Sequence, residues 1–328
     1  MSDKGQYDFN SQDRFLQMFE LTFDLSVMSF MVPLKIGASF FLLPENGVLY
    51  FNIVKALLEK NISVVLMVPS VLSFLKSYMK ELKLPNIRYS LFCGEALEIN
   101  LVNEWKKSVF NAAVENVYGP TEATIFCLRY VLDENNQIQY NGVVSIGKPM
   151  GNIQAYIVDK NNNVINGEKG ELVLCGDQVI NEYWRNEVSN QKAFINLEIG
   201  SKRLRGYKTG DIVFLRKDGN FIYCGRLDSQ IQINGYRVEI GQVEYALKKV
   251  LNSNKLAVVY INREGIESEL HAFVEEMKIN QESLRIKLSE FIPAYMIPNK
   301  ITSIKKIPLN LNGKINRKEL KKIAIDKA

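Results

Sequence analysis

Histidine is almost missing from this chain: His271 is the only one in 328 residues. The four cysteines, Cys93, Cys127, Cys175 and Cys224, lie far apart and form no CxxC pair. A zinc site or a Cys–His nucleophile therefore lacks its ligands. Each cysteine sits in an apolar, strand-like setting, which fits reduced core thiols rather than a disulfide framework. No apolar run reaches the roughly 20 residues that would span a bilayer. The first twenty residues mix charge and polarity (Asp3, Lys4, Asp8, Asp13, Arg14) instead of forming a signal segment. No membrane partner is expected, and the expected location is the cytoplasm. Low-complexity stretches and internal repeats are absent too. No GxGxxG occurs, so a dinucleotide fingerprint has no support. Gly142–Lys148 fits the GxxxxGK skeleton of a P-loop, but Pro149 stands where Ser or Thr would bind Mg2+. Val143, Val144 and Ile146 suit a strand better than a glycine-rich cradle.

What is present is a chain with 47% hydrophobic residues, enough for a sizeable core and long enough for two domains. The net charge of +5 is uneven: Gln281 onward holds eleven Lys/Arg against four Asp/Glu, or +7, which leaves −2 for the rest. A solvated basic tail and a surface that meets something acidic, such as nucleotide phosphates or an acidic carrier protein, both fit. Nucleic acid is not an expected partner, because stacking aromatics are not interleaved with these basic residues.

Up to about residue 124, helix-like and strand-like segments alternate. Tyr50, Ile53, Val54, Leu57 and Leu58 repeat at helical spacing before the apolar run Val64–Val68. Pro69 opens a further helix. Tyr89–Cys93 and Val114–Tyr118 read as buried strands on either side of a helix carrying Leu97, Leu101, Trp105 and Val109. This pattern predicts an α/β fold with a helix-covered parallel sheet. Residues 125–227 switch to strands and tight turns and predict a β-barrel-like part of the same large domain. Candidate strands are Thr124–Val131, Ile153–Val158, Glu171–Cys175, Asp211–Leu215 and Phe221–Gly225. Residues 228–328 predict a small α+β C-terminal domain. It opens on Gln230–Ile233 and Arg237–Glu239 around Asn234-Gly235, a hairpin signal.

Several short motifs carry possible chemistry. Tyr118-Gly119-Pro120-Thr121-Glu122 places a sharp turn at a strand end, where ligands gather in parallel α/β sheets. Taken alone it reads as a surface turn, as Thr209-Gly210-Asp211 reads as an ordinary turn aspartate. Asp24 lies among Leu21, Phe23, Leu25 and Val27. A carboxylate there must be paired or must cap a helix start. Lys314, after Leu311-Asn312-Gly313, reads locally as one solvated charge among many.

The order and spacing of Phe23–Ser26, Tyr118–Glu122, Tyr207–Asp211, Gly225–Asp228 and Asn312–Lys314 resemble the adenylate-forming (AMP-binding) ligases. Within them the chain is similar to amino-acid adenylation domains of peptide synthetases and to D-alanine–carrier protein ligases, from about Arg14 to Leu320. The resemblance implies ATP-dependent adenylation of an amino acid carboxylate, then thioester transfer to the phosphopantetheine of an acyl or peptidyl carrier protein. ATP/AMP and Mg2+ are the implied cofactors. Nucleotide contacts are implied for Gly94, Glu95, Tyr118, Gly119, Thr121, Asp211, Tyr223 and Arg226, and Mg2+ for Glu122. Asp24 is implied to bind the substrate ammonium. Leu25, Met28, Leu66, Leu91, Cys93, Val117, Ile125 and Phe126 are implied to line an uncharged pocket for a small or apolar side chain, with D-alanine the leading substrate. Lys314 is the implied catalytic cation, placed between the carboxylate and α-phosphate where opposed negative charges must approach. Asp228 is the implied hinge of a mobile C-terminal domain, and Gly235 would let the carrier thiol pass.

One family feature has no counterpart. A Ser/Thr/Gly-rich loop ending in lysine is expected before the stretch matching Phe23–Ser26, and none is found. The expectation is incomplete ATP binding, through truncation or because another polypeptide supplies that part. An acyl- or aryl-CoA synthetase, or a non-catalytic remnant that binds AMP or a carrier, are the alternatives.

Overall fold

Val64, Val65, Leu66 and Met67 are all buried, the mark of a strand covered on both faces. In the computed structural model the described residues are 7–326 apart from 20, 22, 45, 134, 228–229, 234–235, 264–265 and 311–312. The chain divides into two units, Met1–Tyr223 and Cys224–Ala328.

The first unit opens with β1 (Arg14–Gln17), α1 (Leu25–Ile36), β2 (Ser39–Leu42), α2 (Leu49–Glu59), β3 (Val64–Met67) and α3 (Pro69–Leu75). Next come β4 (Tyr89–Phe92), α4 (Ile99–Lys106), β5 (Ala113–Tyr118), a 3-10 turn at Thr121–Ala123 and β6 (Leu128–Val131). Two short strands, β7 (Gln139–Tyr140) and β8 (Val143–Val144), precede β9 (Lys148–Pro149). The sheet order is β2-β1-β3-β4-β5-β6-β9, with β2 through β5 parallel and β6 antiparallel to both neighbours. The GxxxxGK stretch thus runs as strand and bridge.

Register sorts the side chains. Leu66 pairs with Leu91, and Leu91 with Glu115, so Leu66, Leu91, Glu115 and Val117 share one face of the sheet. Ser90 is on the other, where its Oγ accepts a 2.9 Å bond from the indole N–H of Trp105 in α4. β1 has β2 on one side and β3 on the other. The chain adds β2 through α1 and returns past β1 through α2, so the strand order reverses between β1 and β3. A crevice outside the carboxyl ends of such strands is where α/β sheets hold ligands.

The expected strand over Thr124–Val131 starts only at Leu128. Thr124 and Ile125 have φ of 58° and 73°, a left-handed turn that no strand accommodates. Beyond it, β10 (Gln154–Val158), β11 (Gly170–Cys175), α5 (Glu187–Ala193), β12 (Phe194–Ile199), β13 (Lys202–Leu215) and β14 (Phe221–Arg226) follow. They form a sheet in the order β10-β11-β13-β12, with β14 also on β13. The barrel-like expectation thus resolves into a five-stranded sheet, with no closure among the described residues.

The second unit contains the hairpin β15 (Gln230–Ile233) and β16 (Tyr236–Glu239), then α6 (Ile240–Leu251), β17 (Leu256–Arg263) and β18 (Ile266–Glu275). α7 (Gln281–Ser289), β19 (Lys300–Ile304) and α8 (Arg317–Asp326) complete it. β17 and β18 are antiparallel, and β19 joins β18 in parallel. One face packs Val258, Ala272 and Val274 with Val243, Leu247 and Leu288 of the helices. The other packs Val259 and Phe273 with Leu320 and Ala324 of α8. His271 is buried in this sheet, its Nε2 2.8 Å from Thr302 Oγ1.

One charge is deeply placed in the first unit. Glu115 is fully buried; it accepts two bonds from the Arg129 guanidinium, at 2.7 and 2.5 Å, and a third from the Tyr7 hydroxyl at 2.9 Å. By contrast Ser26 Oγ is buried with no hydrogen-bond partner among the described residues. Arg129→Ala, which strands the Glu115 charge, is therefore expected to destabilise the first unit by about 3 kcal/mol or more. Ser26→Ala is expected to be neutral or slightly stabilising, because it removes an unsatisfied hydroxyl. Shifts in the urea midpoint check both.

Candidate active site

The turn after β5 is shaped by a close approach. Gly119 lies so near the returning chain that a Cβ on it would sit 2.4 Å from Phe126 Cα, so only glycine fits without backbone movement. The turn sends Tyr118 from the carboxyl end of β5 toward the second sheet. There its hydroxyl donates a 2.5 Å bond to Asp211 Oδ2, across 93 residues of sequence. Burial and the facing Asp211 carboxylate hold the Tyr118 phenol well above its ordinary pKa, so it remains a donor. Tyr118 also packs, with Tyr223 of β14, on a core that includes Ala123, Cys127, Leu172 and Val213.

Asp211 is positioned by its own turn. Gly210 has φ of 70°, and its N–H donates to Glu171 at 3.0 Å. The Thr209 hydroxyl donates to the Leu172 carbonyl at 2.9 Å and accepts from the Asp211 N–H at 3.1 Å. Asp211 is buried, at 6% exposure. The structure thus brings together the two motifs that read separately as plain turns.

Thr121 is exposed and Glu122 half-buried on the 3-10 turn. Glu122 Oε1 accepts a 2.5 Å bond from the Tyr183 hydroxyl, whose oxygen is 3.5 Å from that of Tyr207. Burial first, and then Glu122, raises the Tyr183 phenol, and burial likewise raises Tyr207. Tyr207 opens the Tyr207–Asp211 motif, but Tyr183 did not stand out in the sequence: it lies in a loop, and its contact spans 61 residues. Hydrophobic periodicity carries no signal for such a pairing.

Asp24 stands at the N-cap of α1, yet its side chain makes no capping bond. Its carboxylate is half-buried at the helix start that follows β1, beside the point where strand order reverses. Leu25, Met28, Leu66, Leu91, Cys93, Val117, Ile125 and Phe126 all belong to one buried cluster. Leu66, Leu91 and Val117 share a sheet face by register. Gly94, with φ of 89°, turns the chain after β4. Glu95 then accepts the Ser70 N–H at 2.8 Å, at the start of α3. Burial, with a smaller contribution from Glu95, pushes the nearby Tyr50 phenol up to about 12.

The second unit holds the rest. Arg226 is exposed at the end of β14. Lys314 is half-buried in a turn closed by Asn310, whose N–H donates to the Lys314 carbonyl at 2.7 Å and whose Oδ1 accepts the Lys314 N–H at 3.0 Å. Asp228 and Gly235 lie outside the described residues.

The profile of the AMP-binding enzyme family matches residues 1–184. The chain belongs to the AMP-binding enzyme family. Among its relatives, gramicidin S synthase 1 of Brevibacillus brevis is 35% identical over 321 residues, which is 97% of this chain and 28% of that protein. Zwittermicin A synthase ZmaJ of Bacillus cereus is 31% identical over 98% of this chain and 62% of its own length. The chain therefore spans less than two thirds of these relatives. In solved structures, IdnL7 matches with a TM-score of 0.83 at 28% identity, over 98% of this chain and 62% of that one. Holo-AB3403, a four-domain nonribosomal peptide synthetase bound to AMP and glycine, matches with a TM-score of 0.79 at 27% identity, over 94% of this chain and 23% of that one. No helix among the described residues is long and apolar enough to cross a membrane.

If Tyr118 and Asp211 tie the two sheets together, a double-mutant cycle of Tyr118→Phe and Asp211→Asn should give a coupling of about 1–2 kcal/mol in unfolding free energy. Additive effects would contradict the tie.

Proposed function

We propose that this protein activates an amino acid as its adenylate and passes it to the phosphopantetheine thiol of a carrier protein. The observation that carries this reading is the 2.5 Å bond from Tyr118 to Asp211, which joins a nucleotide-suited turn to a buried carboxylate at the carboxyl edge of the parallel sheet. In this reading the Tyr118 ring supports adenine, and Asp211 accepts from the ribose hydroxyls. Gly94, Glu95, Gly119 and Tyr223 shape the same nucleotide site, Thr121 meets the α-phosphate, and Arg226 adds a positive charge beside the ribose.

Mg2+ suits the donor set. Glu122 and Thr121 offer hard oxygens, and no cluster of three or more His, Cys, Asp or Glu forms a dedicated cage among the described residues. Such a site fits a cation that keeps waters and phosphate oxygens as its other ligands. Bound there, Mg2+ would offset phosphate charge.

Asp24 holds the substrate ammonium in place, since its carboxylate is not spent on a helix cap. The apolar cluster from Leu25 to Phe126 receives a small, uncharged side chain, with D-alanine the leading candidate. A carboxylate oxygen of the amino acid attacks the α-phosphorus, and pyrophosphate leaves. Lys314 supplies a compact ammonium to the crowded anions, which is worth most when they are closest. In the second half-reaction the carrier thiol attacks the acyl carbon, and AMP departs with the electrons of the broken C–O bond. Asp228 is the hinge between the half-reactions, and Gly235 gives the thiol room. The anthranilate CoA ligase AuaEII shares the fold at 21% identity with a TM-score of 0.78, but a carboxylate at Asp24 not spent on a helix cap suits the charged α-ammonium of an amino acid better than the uncharged aryl amine of anthranilate.

Amino-acid-dependent exchange of pyrophosphate into ATP tests the proposal, measured with the chain alone and together with the product of any gene upstream. Exchange with a small apolar amino acid is the expected result. Exchange with fatty or aromatic acids alone supports the CoA-ligase alternative, and AMP binding without exchange a non-catalytic role. In active enzyme, Lys314→Ala should lower adenylation by about 100-fold or more and thioester transfer far less; equal losses would refute its role.

A further inference from the structure

A loop with no assigned role is fastened along the Thr121–Phe126 turn. The Thr124 hydroxyl donates to the Gln178 carbonyl at 2.7 Å, and Gln178 Nε2 donates to the Phe126 carbonyl at 3.3 Å. The Ile180 N–H donates to the Glu122 carbonyl at 2.9 Å. The Arg205 guanidinium holds the loop from its other side through the carbonyls of Ile180 and Asn181. At its end, Tyr183 is locked to α5: its N–H donates to Asn190 Oδ1 at 2.6 Å, and Asn190 Nδ2 donates back to its carbonyl at 3.0 Å. Its ring rests against Phe194, 5.7 Å between centroids. All of this fixes a single phenol, and that phenol donates to Glu122 Oε1.

We propose that Tyr183 is a positioning residue that orients the Glu122 carboxylate toward a nucleotide-bound divalent cation, an inference that rests on the reading of Glu122 as the metal ligand. A donor on one carboxylate oxygen fixes the plane of the group and so the direction of the other oxygen. Partners that orient a metal-ligating carboxylate typically contribute about 10- to 100-fold in metal affinity. The phenol is well suited to this. A phenol hydroxyl is a neutral donor, so it orients the carboxylate without adding charge. The tether joins the backbone N–H and carbonyl of Tyr183 to the side-chain amide of Asn190, so it needs no substrate group.

The test uses Tyr183→Phe in the full chain, which removes only the hydroxyl and keeps the ring against Phe194. ATP binding is measured by calorimetry in Mg2+ and in EDTA, alongside the melting temperature and the same measurements on Glu122→Ala. The expected result is that Mg2+ strengthens ATP binding to the unaltered chain and that Glu122→Ala abolishes the strengthening. Tyr183→Phe is expected to reduce the strengthening by about 10-fold or more, with affinity in EDTA and melting temperature unchanged. If Glu122→Ala abolishes it but Tyr183→Phe leaves it intact, this inference alone falls. Equal loss of binding in EDTA also overturns it, because the hydroxyl would then be merely structural. If Glu122→Ala retains the strengthening, or the unaltered chain has none, the reading of Glu122 falls as well.

Discussion

The hydrogen bond from Tyr118 to Asp211 links two structures that have little else in common. Tyr118 ends a parallel strand whose neighbours present an apolar face, whereas Asp211 lies within a 14-residue antiparallel strand of the second sheet. A buried carboxylate is costly unless it is satisfied, and a buried phenol likewise. Each supplies what the other needs. The same bond keeps an aromatic side chain and a carboxylate side by side at the sheet edge, the arrangement on which the proposed nucleoside site rests. Packing alone would not select this geometry, since an apolar pair could fill the same space.

Around that link, polar groups are distributed economically. Asp24 starts a helix without capping it, Glu122 accepts from the Tyr183 hydroxyl, and Glu95 accepts from the Ser70 N–H. The floor beneath is uncharged. Glu115 lies on the same sheet face as Leu66, Leu91 and Val117, but Arg129 and Tyr7 satisfy it. Its charge is therefore quenched, and the pocket candidates remain apolar in character. The proposed substrate, a small uncharged side chain with a charged amine, rests on that combination.

Much of this was legible in the sequence. Val64–Val68 and Val114–Tyr118 announce buried parallel strands because both faces are covered, and the stripe ending in Trp105 announces a helix against them. Gly119-Pro120 marks the turn. Other parts were hidden for physical reasons. Thr124 and Ile125 look like strand residues, yet they take left-handed φ values where the chain returns close past Gly119. Strand β12 buries a single residue and β13 opens on mostly exposed ones, so alternating burial leaves little imprint there. Tyr183 was illegible altogether, because its importance comes from a partner 61 residues away. The roles of Asp24 and Lys314 came from resemblance, since local chemistry reads one as a cap and the other as a solvated charge.

The most direct measurement is calorimetric binding of two stable adenylate mimics, an aminoacyl-sulfamoyl adenosine and the same compound without its amine, to the chain and to Asp24→Asn. The account predicts that the amine-bearing compound binds about 30- to 100-fold more tightly to the unaltered chain, as a charge-assisted contact would give, and that Asp24→Asn erases the difference. Equal affinity for the two compounds on the unaltered chain would contradict it.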